Sequence, residues 1–227
     1  MCNRYWVRGD KSEVTKVLPD LDFRVDYGVR YNVAPGHSAP IIRRAGVGSL
    51  TLDNLAWGIP EKTVVDPTAG PTVSLKHHEA ATRIGHRTAY LYRRCLIPTN
   101  GFFIWQQATP TCRVPWLLSY PGESLMMLAG LWEPHSEIGD TFAILTGPPP
   151  NRAIWVGYQF PVLLPPCAWR SWLDPDCPFS ELAARMHSGV HRPNRDLQQW
   201  RVTSRVESPE FQDPAAVIPI PARQELG

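Results

Sequence analysis

The sequence predicts an α+β fold, a single compact domain over residues 1–227 organised around a twisted, mostly antiparallel β-sheet or partial barrel with a few short helices. Three observations lead there. Segments rich in β-branched, aromatic and aliphatic residues outnumber helical ones, and no regular strand–helix–strand alternation runs along the chain. The 24 prolines are dispersed rather than massed in one linker, which favours short elements joined by rigid turns.

The expected strands are Pro40 to Arg44, Ser49 to Ile59, Arg94 to Pro98, Phe102 to Gln106, Pro115 to Tyr120, Ser124 to Trp132, Thr141 to Thr146, Phe160 to Leu164, Arg201 to Glu207 and Ala216 to Ile220. Helices are expected at four places. Lys11 to Val17 follows Asp10, with Glu13 in capping-box position; His78 to Ile84 ends at Gly85; Ala168 to Leu173 comes next; Glu181 to His187 follows Ser180 and stops before Gly189.

Hydrophobic residues make up 43% of the chain and charged residues 19%, enough to bury a sizeable core. Lys plus Arg number 23 against 21 Asp plus Glu, so a nucleic-acid partner would have to be held by a local basic groove. The five cysteines, Cys2, Cys95, Cys112, Cys167 and Cys177, are odd in number and widely spaced, and no secretory leader pattern precedes them. A cytoplasmic protein is the expectation. No apolar run approaches the roughly 18 residues of a membrane span.

The chemistry centres on Cys2. Removal of Met1 would leave one residue with both a free α-amine and a thiol. The amine, with a pKa of about 8, is partly unprotonated at neutral pH and can form a Schiff base with an aldehyde. The thiolate can then close a five-membered thiazolidine ring. Taken alone, a cysteine at this position is more often a coincidence, a small buried hydrophobe.

The rest of the chain adds to it. Met1-Cys2-Asn3-Arg4-Tyr5 is followed in order by Arg30-Tyr31-Asn32-Val33-Ala34-Pro35-Gly36, Trp57-Gly58-Ile59-Pro60, and Arg93-Arg94-Cys95-Leu96-Ile97-Pro98-Thr99-Asn100-Gly101-Phe102-Phe103-Ile104-Trp105. Later come Ala129-Gly130-Leu131-Trp132, Thr141 to Thr146, Pro161-Val162-Leu163-Leu164 and Val202-Thr203-Ser204-Arg205-Val206. This order resembles the SRAP (SOS response-associated peptidase) family over nearly the whole chain. The resemblance implies a groove binding single-stranded DNA or a single-strand to double-strand junction. There the aldehyde of an abasic sugar meets the N-terminal cysteine and a covalent DNA–protein crosslink forms. It also implies self-processing that removes Met1, hence the peptidase label, with lyase activity on the DNA.

Several family positions are altered. The acidic residue of the "DGFYEW"-like stretch is Ile104, which cannot carry a proton; the family's histidine beside the sugar is matched by Gly157; the "NAR"-like stretch becomes Ser74-Leu75-Lys76; and Asn3 replaces a glycine. Two readings follow. Either the aminothiol still crosslinks, without acid–base assistance worth about 10²- to 10⁴-fold, or the chain is a non-covalent DNA-binding module on the same scaffold.

Arg4 is the first candidate for a phosphate contact, with Lys76, Arg83 and Arg94 behind it, and the resemblance adds Asn32 to the DNA-facing set. Trp57 and Trp105 either stack on bases or serve as core aromatics. His77 and His78 are candidate substitutes for the lost histidine, or else solvated surface residues. His187 and His191 have His-x₃-His spacing downstream of Cys177, but no second close cysteine completes a zinc-finger pattern, so no metal is expected. Neither a Gly-x-Ser-x-Gly elbow nor a Gly-rich phosphate loop is present, and no cofactor is expected. The expected partner is DNA containing abasic sites, bound by a monomer.

Overall fold

The structure is a computed structural model that describes residues 3–46, 48–60, 70–82, 84–148, 159–178, 180–182 and 196–221. In chain order the elements are β1 (Tyr5–Val7), α1 (Lys11–Thr15), β2 (Leu21–Phe23), β3 (Arg30–Val33), β4 (Ser38–Ala45), β5 (Ser49–Trp57) and β6 (Ser74–Lys76). Next are α2 (His77–Thr82), α3 (Ile84–Tyr92), β7 (Arg94–Thr99), β8 (Gly101–Thr109), β9 (Cys112–Ser119), β10 (Met126–Glu133) and β11 (Thr141–Gly147). The series ends with β12 (Phe160–Pro161), β13 (Leu163–Leu164), α4 (Trp169–Leu173) and β14 (Gln198–Arg201).

Two sheets form. The smaller runs β14-β9-β8-β1-β3 and is antiparallel throughout. The larger runs β12-β11-β10-β7-β4-β5-β2, with β13 against β10 and β6 against β11. Its parallel pairs are β2–β5, β5–β11 and β6–β11. Because β11 pairs with both β10 and β5, the strands β10, β7, β4, β5 and β11 close on themselves. The expected α+β architecture, mostly antiparallel with a partial barrel, is the observed one.

Side-chain alternation builds three apolar layers. Phe142 and Ile144 face a central layer, while their neighbours Ala143 and Leu145 face the helices, as the period of two along a strand requires. The central layer joins Tyr5, Phe102, Ile104 and Leu118 of the smaller sheet to Ile41, Trp57, Ile97 and Leu128 of the larger. The helical layer sets Val14, Ala80, Tyr90 and Trp172 against Leu52, Leu96, Leu131 and Leu145. A third layer packs Trp6, Phe103 and Leu117 under a C-terminal segment contributing Val202, Val206 and Phe211. Strand β7 is buried along its length and β10 at every residue but the half-buried Trp132, both covered on both faces. At Gly130, on β10, a Cβ would lie 2.9 Å from the backbone oxygen of Ala143, so any side chain there would force the paired strands to shift.

Asp10 caps α1 as expected, accepting from the Ser12 amide at 2.8 Å, but Glu13 does not complete the reciprocal box: its carboxylate receives Asn100 Nδ2 at 3.5 Å. Gly85 does not end a helix; α3 runs through it to Tyr92, because packing of Ala89 and Tyr90 on the larger sheet outweighs glycine's roughly 1 kcal/mol helix penalty. Strand β14 stops at Arg201, and Ser204–Glu207 form a 3-10 turn opened by Thr203, whose hydroxyl accepts from Arg205 N. Residues Pro214–Ala216 are also a 3-10 turn, capped by Asp213, instead of the start of a strand. Ser180 to Leu182 are helical; the rest of the Glu181 to His187 expectation, with Gly189, lies outside the described residues.

Candidate DNA-facing site

The separated sequence blocks meet around Trp57. The Ala34–His37 turn is tied to it by Gly36 N to Trp57 O at 2.8 Å and Trp57 N to His37 O at 2.9 Å, with Gly36 at a φ of 86° that suits glycine. The indole stacks on Phe142 at 6.0 Å and tilts against Tyr5 at 5.3 Å. Its Nε1 donates to Val73 O at 2.8 Å, fixing the chain immediately before Ser74. Trp57 is 1% exposed, so it takes the core-aromatic reading and offers no open face to a base.

Ser74 pairs in parallel with Ile144 on β11, so it lies on the central-layer side of the sheet, half-buried. Ile104 faces the same layer from β8, paired with Trp116 of β9 and 1% exposed. The two altered positions thus border one inter-sheet space, and Ile104 completes its apolar packing. Gly157 lies outside the described residues, as does Cys2.

The described chain nearest Cys2 is firmly held. Phe103 N donates to Arg4 O at 2.9 Å, fixing Arg4 beside the residue that precedes Ile104. The Arg4 guanidinium donates through Nη1 to Asn3 O at 2.8 Å and through Nη2 to Glu207 O at 3.2 Å. Burial lowers its pKa from the usual arginine value, though an arginine remains charged at neutral pH. Arg4 is therefore a positioned, part-desolvated cation, chemically suited to a phosphate oxygen.

Asn32 is fully buried. Its Nδ2 donates to Val206 O at 3.1 Å and Ser208 O at 2.9 Å, while Gln212 exchanges hydrogen bonds with its backbone. In this structure it fastens the C-terminal segment to β3 and presents no atom to DNA. Arg94 likewise turns inward and not towards a phosphate: 7% exposed and stacked on Trp172, it donates to Tyr90 O, Trp172 O and Asp174 O, closing the ends of α3 and α4. Arg83 lies outside the described residues.

Lys76 is exposed and paired with Glu79 at 3.0 Å, an exchangeable surface contact worth about 0–1 kcal/mol. His77 turns to the helical layer, with Nε2 2.9 Å from Tyr90 OH and its ring 6.5 Å from Trp172. That is the face of the sheet away from Ser74 and Ile104, so His77 does not take the substitute role beside them that the sequence suggested. His78 is solvent-exposed, 4.0 Å from Glu79. Trp105 is half-buried against the third layer and keeps part of its ring accessible.

Sequence reasoning missed the clamp made by Asn32, Gln212 and Glu207, whose contacts join residues 174 to 203 positions apart. Among the described residues no cluster of His, Cys, Asp and Glu could hold a metal, and no helix is long and apolar enough to cross a membrane. His187 and His191 lie outside the described residues.

The sequence profile of SOS response associated peptidase (SRAP) matches residues 1–209. The chain belongs to the SRAP family. Among SRAP relatives, the Abasic site processing protein YoqW of Bacillus subtilis is 22% identical over 224 residues, covering 96% of this chain and 99% of that protein. YobE of the same organism, also named an abasic site processing protein, is 24% identical over 82% of this chain and 86% of its own length. Solved structures share the fold. A protein from Bacteroides thetaiotaomicron superposes with a TM-score of 0.76 at 17% identity, covering 96% of this chain and 100% of that one. A phage-related protein from Bordetella bronchiseptica gives 0.72 at 21% identity, over 88% and 94%.

Proposed function

We propose that this SRAP protein is an abasic-site sensor. It binds single-stranded DNA, or a single-strand to double-strand junction, and captures the lesion covalently through Cys2 once Met1 is removed. The observation carrying the reading is Cys2 directly after Met1 in a chain whose family match runs from residue 1 to residue 209. Relatives named as abasic site processing proteins support the substrate class.

In the proposed reaction the Cys2 amine attacks the open-chain sugar aldehyde and one water leaves, giving a Schiff base. The thiolate then adds to the imine carbon while the nitrogen takes up a proton, closing the thiazolidine. Arg4 would hold a neighbouring phosphate and Lys76 a further one. With isoleucine at position 104 and glycine at 157, proton transfers fall to solvent, so the chemistry is slowed. Lyase and self-processing activities belong to the same proposal and would be slowed likewise.

The packing of Ile104 favours a second reading, a non-covalent DNA-binding module, because an apolar residue has sealed the place of the acid. One experiment separates them. Purified protein is incubated with a single-stranded oligonucleotide carrying one abasic site, and adducts are resolved under denaturing conditions alongside an intact mass. The proposal expects a protein lacking Met1, an adduct, and its loss in Cys2→Ala. A retained Met1, or binding without adduct, supports the second reading.

A further inference from the structure

Beside the edge strand β3 lies a cavity of about 350 Å³, walled by the approach to β3, by the Ala34–His37 turn and by the C-terminal segment. Its size falls in the range of small-ligand pockets. Its ionisable groups are distinctive: Asp26, Arg30, His37 and Glu210 all line it, and among the described residues none forms an ion pair. Arg30 spends only Nη1 on the protein, donating to Ser38 O at 3.3 Å. His37 accepts the Ala34 amide on Nδ1 at 3.3 Å, so the neutral ring carries its proton on Nε2 and can donate. Two donors and two carboxylate acceptors therefore face one space without satisfying each other.

We propose that this cavity is a nucleotide pocket with a preference for guanine. The Arg30 guanidinium and the His37 Nε2 proton match a phosphate. A carboxylate from Asp26 or Glu210 matches the adjacent N1–H and N2–H donors of guanine, an edge that a carboxylate accepts through two oxygens and thymine cannot reproduce. The occupant's identity as a nucleotide rests on the DNA reading proposed above, and the location is consistent with it. Val33, in the cavity wall, is the ladder partner of Tyr5, three residues after Cys2, and Arg4 is held by Glu207, two residues before Pro209 in the opposite wall. A strand bound at Arg4 has this pocket one β-strand away. The nucleotide would be either a neighbour of the lesion in the bound strand or a free mononucleotide.

The test titrates dGMP and dTMP into the full-length protein by calorimetry and amide NMR, then compares abasic oligonucleotides carrying dG or dT beside the lesion. The proposal expects saturable dGMP binding, about tenfold tighter than dTMP as one good two-point contact would give, with shifts confined to residues 26–38 and 209–212. Arg30→Gln should weaken both nucleotides together, whereas the exposed Glu210→Gln, Asp26→Asn and their double variant should remove the preference alone. A dG effect on oligonucleotide binding or adduct yield places the occupant in the strand; dGMP binding without that effect makes it a free nucleotide, the pocket standing in both cases. If no adduct forms while dGMP still binds selectively, the crosslinking proposal fails and the pocket survives. No saturation by either nucleotide at roughly 10 mM, with no neighbour effect, overturns it.

Discussion

Arg4 donates through Nη2 to the backbone carbonyl of Glu207 at 3.2 Å, so a cation two residues from Cys2 is held by a segment 203 positions along the chain. The acceptor is main chain, and what places it is the Asn32 amide donating to Val206 O and Ser208 O on either side. Glu207→Gln should therefore change little. Asn32→Asp, nearly the same shape but without the NH₂ donors, strands two carbonyls and sets a carboxyl against them, which should cost about 2–6 kcal/mol at about 1–3 for each stranded group. Urea titration would show the loss. Amide exchange should show faster opening of residues 203–212, and DNA affinity should fall through a loosened Arg4 while Glu207→Gln stays near wild type.

Restoring a carboxyl at position 104 tests the altered site directly. Ile104 is buried among Trp57, Phe142 and Ile144, so Ile104→Glu loses apolar contacts and places a carboxyl in a layer poor in donors, costing about 1–3 kcal/mol. Desolvation would push that carboxyl's pKa up, which suits a proton donor at neutral pH. The expected outcome is a lower Tm together with about a 10²-fold faster adduct formation, the low end of acid–base assistance because Ser74 and Gly157 remain altered. Ile104→Gln should show the stability loss without the rate gain. If both variants crosslink at the same rate, acid–base chemistry at this position is not what limits the protein.

The long strands were legible because apolar runs such as Thr141 to Thr146 and Ser124 to Trp132 need no knowledge of their partners. Strands β1, β2, β3 and β6 were not, having only three or four residues each and being defined by ladders to distant segments. Gly85 misled because a local propensity was opposed by the burial of Ala89 and Tyr90. The same divide runs through the site. Cys2, Ile104 and Gly157 were noticeable as residue types at family positions, whereas the roles of Asn32, Trp57 and Arg94 depend on which backbone carbonyls fold against them, which composition and spacing do not encode. Asp213 before Pro214, a cap followed by a proline at the first turn position, makes a 3-10 turn by local chemistry at the place where a strand from Ala216 was expected.

The two tryptophans assigned together by sequence should separate by mutation. Trp57 fills the central layer, so Trp57→Ala should cost about 3–5 kcal/mol and lower DNA binding only as the fraction folded falls. Trp105 is half-buried on the outer layer, where Trp105→Ala should spare most stability but weaken single-stranded DNA by about 1–3 kcal/mol if one base stacks there. Thermal unfolding and fluorescence anisotropy on the same samples distinguish the two. Equal affinity in Trp105→Ala at unchanged Tm would remove it from the DNA-facing set.

Acid sensitivity should arise from two surface carboxylates. Asp10 is held below its ordinary pKa, first by the Ser12 hydroxyl and then by the Ser12 amide, and Asp20 is held below it chiefly by Arg170. A carboxylate with a depressed folded pKa contributes stability that is fully present above the unfolded value of about 3.9 and is lost as pH falls through the folded value. Stability should therefore decline below about pH 4. Both groups are exposed, so each contribution is small and screened by salt. Asp10→Asn separates ionisation from capping: asparagine is as good an N-cap, so neutral-pH stability should be nearly kept while part of the acid-side decline disappears. Asp20→Asn should flatten the same limb by removing the ion pair with Arg170, and the double variant should be flatter than either. Urea midpoints between pH 2.5 and 7 would show this, and an acid limb as steep in the double variant as in wild type would assign the sensitivity to other carboxylates.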